Sequence, residues 1–260
     1  MTTRFQFVHF DSASANYIHD PLASSGSTLN PYRAQFPMNQ TFSKIKRVFL
    51  KSLELPVGFV NIRKGSTDTL KFVLNGTTYQ VTLVEKFYST IAALLTDLTA
   101  ALVGIVPNVI MTVTNTGSRL CITFTGSTTT SSFSIVDTNL SKYVLGFRAG
   151  KDILLSSMYK ASISNFNLNF DNYLLMSIPS LNAINSSMSG QNCTFKIPLN
   201  CITSQVYYYF ECTSFQQFIE ITDVNLRISD LTVILYDKFG NMINPNGLDY
   251  SFSICLELWK

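Results

Sequence analysis

Histidine is the side chain that most often serves as a general base or metal ligand near neutral pH, and the sequence contains only two, His9 and His19. Both lie within residues 1–40, a polar and irregular stretch that has no predicted core of its own. Side chains on such a stretch are not held in the fixed geometry that catalysis or metal binding requires. We therefore expect no histidine-based catalytic centre, no metal site and no cofactor.

The carboxylates are scattered, and only one pair could work together. Asp237 and Asp249 flank the last predicted turn, and two carboxylates that approach each other can act as acid and base. The ordinary interpretation is that Asp237 caps the turn and that Asp249 faces solvent. Since the sequence also lacks glycine-rich phosphate loops and a G-x-S-x-G turn, we predict that the protein is not an enzyme.

The cysteines do not predict a metal site or a disulfide framework. There are five of them, an odd number, and no two form a Cys-x-x-Cys pair: Cys121, Cys193, Cys201, Cys212 and Cys255. A zinc site would need closer pairs together with histidines. With no signal peptide in sight, we expect reduced and mostly buried thiols in a protein that assembles inside a cell.

Charge is sparse. Charged residues make up 13% of the chain and hydrophobic residues 46%, so much of the surface is expected to be covered by neighbouring molecules. A net charge of +3 does not by itself indicate nucleic-acid binding. The basic cluster of Lys44, Lys46, Arg47 and Lys51 has two interpretations, an exposed strand face or a phosphate-contacting patch, and we favour the first. The sequence has no run of about 18 apolar residues, so it predicts no membrane span.

Aromatic residues give the best candidates for an interaction surface. Alternation along residues 207–210 places Tyr207 and Tyr209 on one face of a strand and Tyr208 and Phe210 on the other, so both faces need cover. Trp259 lies opposite the apolar face of the last strand. Together with three residues of the extended segment 30–37, the candidate interface residues are Tyr32, Arg33, Phe36, Tyr207, Tyr208 and Trp259. A glycan-stacking platform at residues 207–210 is the alternative.

These residues depend on strands for their positions. Residues 250–258 alternate, with Tyr250, Phe252, Ile254, Leu256 and Leu258 on one face, which predicts one wall of a β-sandwich. The strand before it slips in phase at Ser229-Asp230, which predicts a β-bulge. Segment 42–55, a strand from Ile163 to Phe170 and further strands after it complete a sandwich of about eight strands.

Residues 64–150 have a different texture. Asn75-Gly76 predicts a hairpin turn, and an apolar stripe from Ile91 to Leu102 predicts a helix with Ser89 or Thr90 as its N-cap. Further short strands follow, and a helical turn at 140–147 closes the module; its order ββαβββ predicts one small sheet covered by one helix. We thus predict three parts: an extended arm at 1–40 that is either mobile or laid on a neighbour, an all-β domain from 41–63 plus 151–260, and an inserted α+β domain at 64–150.

Several segments in this order resemble a known family. They are SKIKRVFLKSLELPVGFVNIR at 43–63, the hairpin and helix of 69–102, the stretch ending in LGF at 140–147, and LTVILYDKFGNMINPNGLDYSFSICLELW at 231–259. The chain resembles the single jelly-roll penton (vertex) and minor capsid proteins of virophages, polinton-like viruses and large eukaryotic double-stranded DNA viruses.

The resemblance implies an eight-stranded jelly roll with an insertion, and a structural protein of the virion that forms pentamers at the vertices of an icosahedral capsid. It also implies contacts with a double jelly-roll major capsid protein and with minor capsid proteins. Two alternatives stay open: a minor capsid or cement protein at another position, and a glycan- or receptor-binding module that uses the insertion or the polar loop 182–192.

Overall fold

The computed structural model describes residues 2–19, 29–56, 60–106, 109–126, 132–151, 153–155, 158–160, 164–168, 171–181, 185–186, 192–199, 206–211, 216–223, 225–243 and 248–260. The chain divides into two compact units, one made of Met1–Phe59 with Asp171–Lys260 and the other of Val60–Phe170. Each unit has its own sheets, so the two are described separately below.

The first unit is built from strands that come from both ends of the chain. In chain order they are β1 (Thr3–Asp11), β2 (Asn16–His19), β3 (Leu29–Ser43) and β4 (Ile45–Pro56), and, after the second unit, β12 (Tyr173–Ser177), β13 (Asn185–Ser186), β14 (Asn192–Cys193), β15 (Phe195–Pro198), β16 (Val206–Phe210), β17 (Phe218–Glu220), β18 (Arg227–Tyr236) and β19 (Ser251–Trp259). Short 3₁₀ turns lie at Ser12–Ser14 and Pro179–Leu181.

Apart from β13 and β14, which form a separate two-stranded sheet, these strands form two sheets around one core. The first sheet has the order β1-β19-β4-β16, with β17 pairing with β4 beyond the end of β16, and the second has the order β15-β12-β18-β3-β2. If β16 and β17 count as one interrupted strand and β2 as an extra edge strand, the eight strands of a jelly roll remain. The predicted all-β jelly roll is confirmed.

Strand alternation accounts for the core between the sheets. Phe252, Ile254, Leu256 and Leu258 of β19 are all buried, as their spacing predicts. The predicted bulge is also present, because the register between β18 and β3 shifts between Ile228 and Asp230. Phe252 stacks on Phe10 with ring centroids 4.8 Å apart, which ties the first strand of the chain to the last.

Residues 1–40 differ from the predicted arm. Strand β1 pairs with β19 along its whole length, and β3 pairs with β18. The stretch looked unable to form a core because its own apolar residues are few; in the structure Phe10, Ala34 and Phe36 share the core of the sandwich instead. The described residues of 1–40 are therefore part of the jelly roll.

The second unit contains the predicted helix and hairpins. Its elements are β5 (Thr69–Leu74), β6 (Thr77–Thr82), α1 (Ile91–Leu102), β7 (Val109–Thr116), β8 (Arg119–Gly126), β9 (Phe133–Val136), a π-helical turn (Leu140–Val144), β10 (Ile153–Leu155) and β11 (Met158–Lys160). The order ββαβββ is confirmed through β9. Two sheets, β6-β5-β9 and β10-β11-β8-β7, replace the single sheet that was expected.

Local chemistry explains the turns of this unit. Asn75 and Gly76 both adopt positive φ, 48° and 83°, as the type I′ turn of a two-residue hairpin requires. Thr90 is the N-cap of α1, and its hydroxyl oxygen accepts a hydrogen bond from the backbone N–H of Ala93. Leu94, Leu95, Leu98 and Leu102 form the buried face of the helix.

The boundaries differ from the prediction in two places. The second unit reaches Phe170, beyond the expected end at 150, because β10, β11 and the residues after them belong to it. The strand predicted from Ile163 to Phe170 is absent from the described residues 164–168; there the Phe166 N–H donates to Ser118 O instead. Within the predicted polar loop 182–192, the structure describes residues 185–186 and 192, which lie in the paired strands β13 and β14.

Candidate interaction surface

The outer face of the first sheet is the surface opposite the jelly-roll core, and it carries most of the exposed aromatic side chains of the first unit. Its residues alternate with the core residues along each strand, since successive side chains of a strand point to opposite faces. The alternation is interrupted in β4 at two register shifts against β19, so that Lys46 and Arg47 both lie on the outer face. They are Phe5, Phe7 and His9 of β1, Ser253, Cys255, Glu257 and Trp259 of β19, Lys46, Arg47, Phe49 and Lys51 of β4, Val206, Tyr208 and Phe210 of β16, and Phe218 and Glu220 of β17.

A row of ion pairs crosses the centre of the outer face. Lys46 Nζ donates to Glu257 Oε1 at 2.9 Å, and Arg47 lies between two carboxylates, 2.8 Å from Glu220 Oε1 and 3.8 Å from Glu257 Oε2. Lys51 pairs with Glu211. Each of these cations has a carboxylate partner within the chain, so the row has little free charge with which to attract phosphate.

Glu257 is the most buried carboxylate of this row. Its side chain is 7% exposed, and the hydrogen bond from Lys46 lowers the pKa of its carboxyl group, although desolvation acts in the opposite direction. Cys255, next but one along β19, is also buried, and burial raises the pKa of its thiol. Both groups are therefore covered by their neighbours on the outer face and do not present reactive atoms to solvent.

Aromatic rings lie against the same cations. Lys46 Nζ is 4.7 Å from the ring centroid of Trp259, and the Arg47 guanidinium carbon is 5.1 Å from that of Phe218. These are distances at which a cation is attracted to the face of a ring. The basic cluster predicted from the sequence is therefore a strand face whose charges are used within the sheet, as we favoured, and Lys44 is exposed at its end.

Both edges of the first sheet carry exposed aromatic residues. On β1, Phe5 and Phe7 are 59% and 65% exposed; on β16, Tyr208 and Phe210 are 55% and 66% exposed. The rings of Tyr208 and Phe210 are nearly parallel, with centroids 6.5 Å apart. Large apolar side chains this exposed, in a chain with little charge, are typical of surfaces that bind another protein.

The six predicted interface residues differ in their exposure to solvent in the structure. Tyr208 is exposed, and Trp259 is partly exposed beneath Lys46. Phe36 and Tyr207 belong to the core, because their strand phase turns them inward, and they are not available to a partner. Arg33 is partly buried on β3, whereas the side chain of Tyr32 lies outside the described residues. The prediction missed Phe5, Phe7, Phe210 and Phe218; a strand assignment for residues 3–11 would have found the first two.

The other candidates for chemistry have structural roles. The buried Asp237 accepts hydrogen bonds from the N–H groups of Phe239 and Asn241, at 2.8 and 2.9 Å, and so caps the turn as expected. Asp249 is exposed and accepts a hydrogen bond from the Ser12 hydroxyl. His9 Nδ1 lies 3.0 Å from Ser253 Oγ, and the side chain of His19 is outside the described residues.

Cys121, Cys193 and Cys255 are buried, whereas Cys201 and Cys212 are not described. Among the described side chains, no three of His, Cys, Asp and Glu come together as a metal site would need. Within the same ranges, no helix has the length and apolar character to cross a membrane.

A cavity of about 520 Å3 opens between β1 and β3 at one side of the sandwich. Its wall combines apolar residues such as Phe7, Phe10 and Met38 with neutral polar ones such as Gln6 and Gln40. No Asp, Glu, Lys or Arg contributes to it among the described residues. The cavity lies between β1 of one sheet and β3 of the other, and the described residues of its lining include His9 but no carboxylate that could act with it.

Comparison with known proteins gives a likeness of structure over the full length of the chain. No protein-family model and no curated protein sequence matches the chain. The fold is similar to the crystal structure of the selenomethionine-labelled mavirus penton protein, with a TM-score of 0.53 and 10% sequence identity over 98% of this chain and 99% of that one. The likeness establishes a shared fold along the full length of both chains.

Proposed function

We propose that the chain is a structural capsid protein that forms the pentameric vertex capsomer, or penton, of an icosahedral double-stranded DNA virus. The observation that carries the proposal is the full-length likeness to the mavirus penton protein, which extends over the jelly roll and the second unit alike. In this role the protein acts by binding, not by catalysis. It associates with copies of itself and contacts a double jelly-roll major capsid protein.

The surface chemistry supports association. Exposed aromatic residues at both edges of the first sheet offer apolar area, while the central charges are already paired and need no partner to neutralise them. Burying apolar area contributes about 25 cal/mol per Å2, from which the cost of ordering the partners is subtracted. A surface of this kind favours cooperative assembly, because the contacts between several copies add to one another.

We also propose that residues 60–170 form an inserted domain with its own core. The division of the chain into two compact units supports this, as does the return of the chain to the sandwich at β12. The insertion separates two strands of the jelly roll, β4 and β12, that belong to different sheets.

The mass of the purified protein in solution tests the proposal. Sedimentation equilibrium or native mass spectrometry is expected to give a species of five 29.1-kDa chains, and particles are expected to hold the protein in multiples of five per vertex. A stable monomer at all concentrations would contradict the penton role. Trimers or hexamers would instead indicate a minor capsid or cement protein at another position.

A glycan-binding module is the second candidate, and the near-parallel pair Tyr208 and Phe210 favours it. Their rings lie 3° from parallel and are both largely exposed, a geometry on which a sugar ring can stack. A glycan array probed with the purified protein tests this directly. Specific binding that disappears in Tyr208→Ala would favour the module, whereas no binding would leave the two rings to protein contacts.

A further inference from the structure

The hydrogen bonds of the first sheet show which backbone groups of β1 point away from it. Lys260 N–H donates to Thr2 O, and Ser12 N–H donates to Tyr250 O, at the two ends of one unbroken antiparallel register. In such a ladder hydrogen-bonded pairs recur at every second residue. The even-numbered residues of β1 therefore bond to β19, and the N–H and C=O groups of Phe5, Phe7 and His9 point outward from the edge.

The opposite edge of the same sheet has the same arrangement. Glu211 N–H donates to Lys51 O, and the register from there through β16 is unbroken. Tyr207 and Tyr209 consequently bond to β4, whereas the backbone groups of Val206, Tyr208 and Phe210 point outward. On both edges, outward backbone groups coincide with exposed aromatic side chains on the outer face at Phe5, Phe7, Tyr208 and Phe210.

The two edges also run in compatible directions. Each step across the order β1-β19-β4-β16 is antiparallel, so β16 runs opposite to β1. A second copy in the same orientation, placed beside the first, would bring its β1 antiparallel to the β16 of its neighbour. In one register Phe5 then lies opposite Phe210 and Phe7 opposite Tyr208, which are cross-strand aromatic pairs of the kind that stabilise sheets.

In the part of the chain that the structure describes, the middle of each edge strand lacks the protection that edges of isolated sheets usually carry, although Arg4 and Asp11 lie near the two ends of β1. Natural edge strands are commonly blocked by proline, by an inward-pointing charge or by a covering segment. Residues 5–10 of β1 and residues 206–210 of β16 contain no proline, lysine or arginine. Within the described residues, β1 pairs with β19 alone and β16 with β4 alone.

We infer that the β16 edge of one copy pairs with the β1 edge of the next, in a head-to-tail contact that joins the first sheets of neighbouring chains. This inference rests on the proposed capsomer and specifies its interface. A contact between two different patches of one surface repeats from copy to copy, and it closes into a ring when the rotation per copy divides a full turn. A ring of five is the form that the proposed function requires.

Proline substitutions test the contact without disturbing the fold. Phe7→Pro and Tyr208→Pro each remove an outward N–H that the chain's own sheet does not use, and proline is tolerated at edge positions of this kind. We expect each variant alone to be monomeric by native mass spectrometry, with circular dichroism unchanged from the wild type. Because each variant keeps the edge that the other has lost, an equimolar mixture should give a complex of two 29.1-kDa chains and nothing larger.

The other outcomes separate this inference from the proposed function. If the wild type is pentameric and either proline variant remains pentameric, the edge contact is wrong and the capsomer stands. If both variants are monomeric but do not combine, the head-to-tail arrangement is wrong. A monomeric wild type would overturn both. Should a proline variant fail to fold, Phe7→Lys and Tyr208→Lys replace the pair, with Val84→Lys, at a site 80% exposed in the second unit, as the control that should stay pentameric.

Discussion

At the scale of single residues, the outer face of the first sheet contains a buried charge, the carboxylate of Glu257, that is paired with neighbouring cations. Glu257 stands where strand alternation places it, on a face covered by Lys46, Arg47 and Trp259, and its carboxylate would be costly there without a partner. Lys46 and Arg47 supply that partner and keep the pKa of Glu257 low. The negative charge of Glu257 is thereby neutralised within the chain and is not exposed to a ligand.

Acid should weaken this ion pair. A carboxyl group whose pKa is lower in the folded than in the unfolded chain stabilises the fold above its unfolded pKa, about 4.3, and that contribution is lost as the pH falls through the folded pKa. We expect Glu257→Gln to reduce the free energy of unfolding by about 1 kcal/mol at pH 7. The difference from wild type should shrink as the pH is lowered below about 4.3. Urea titrations between pH 7 and pH 3 measure it, and a difference independent of pH would contradict this account.

Gly146 is required by a close backbone contact. It has a φ of +80°, and a Cβ at this position would lie 2.6 Å from the carbonyl oxygen of Asn165. We expect Gly146→Ala to destabilise the second unit by about 3 kcal/mol, from left-handed strain plus the clash. Gly150→Ala is the matched control, since its φ is +69° and nothing lies within 4 Å; strain alone should cost about 1 kcal/mol there. Equal losses in thermal unfolding would show that the contact with Asn165 does not matter.

Single residues were predictable where one local rule decided their role. Asp237 was identified as a turn cap from its neighbours, and the bulge at Ser229-Asp230 from a slip in alternation. Phe36 was misassigned to the surface, because its direction depends on how β3 pairs with β18, and residues almost 200 positions apart decide that pairing. No local pattern contains such information.

At the scale of elements, β1 shows how a strand with few apolar residues is held in place. It contributes Phe10 to the core, where the ring contacts Phe36 and Phe252, and it pairs with β19 along its length. Most of its stabilisation therefore comes from residues at the other end of the chain. For that reason composition made residues 1–40 look like an arm. Segment 42–55, which is long and rich in β-forming residues, and segment 250–258, whose side chains alternate, were recognised as strands.

Replacing a phenylalanine of β1 by alanine should affect the stability of the chain differently on the two faces of the strand. Phe10→Ala removes a ring that is 5% exposed and is expected to cost about 3 kcal/mol, as for other large core residues. Phe7→Ala, on the same strand but 65% exposed, should change the stability of the single chain by less than about 0.5 kcal/mol. Guanidinium unfolding at low protein concentration compares them. A small effect of Phe10→Ala would mean that β1 is an arm after all.

At the scale of the whole molecule, the chain builds one sandwich and interrupts it once. The fold class and the order of the inserted elements followed from periodicity and turn residues, because both are local properties. The split of the insertion into two sheets did not, since it depends on which strands find one another. The extent of the second unit was underestimated for the same reason: β10 and β11 belong to it through their pairing with β8.

The second unit should fold when it is separated from the sandwich. It buries its own core, with Leu70, Phe72, Leu98, Leu120 and Leu145 among its least exposed residues. We expect a fragment of residues 60–170 to give a dispersed NMR spectrum and one cooperative thermal transition. The same fragment with Leu98→Asp should be unfolded, because the substitution places an unpaired charge in that core. A wild-type fragment as disordered as the variant would show that the insertion depends on the jelly roll.

The return of the chain to the sandwich at β12 has an evolutionary consequence. Because residues 60–170 form a compact unit with a core of its own, changes inside that core need not be matched by changes in the core of the jelly roll, so this region can diverge at its own pace. For the experimenter, the same separation makes the loops of the insertion the natural place for an epitope tag or a fluorescent label.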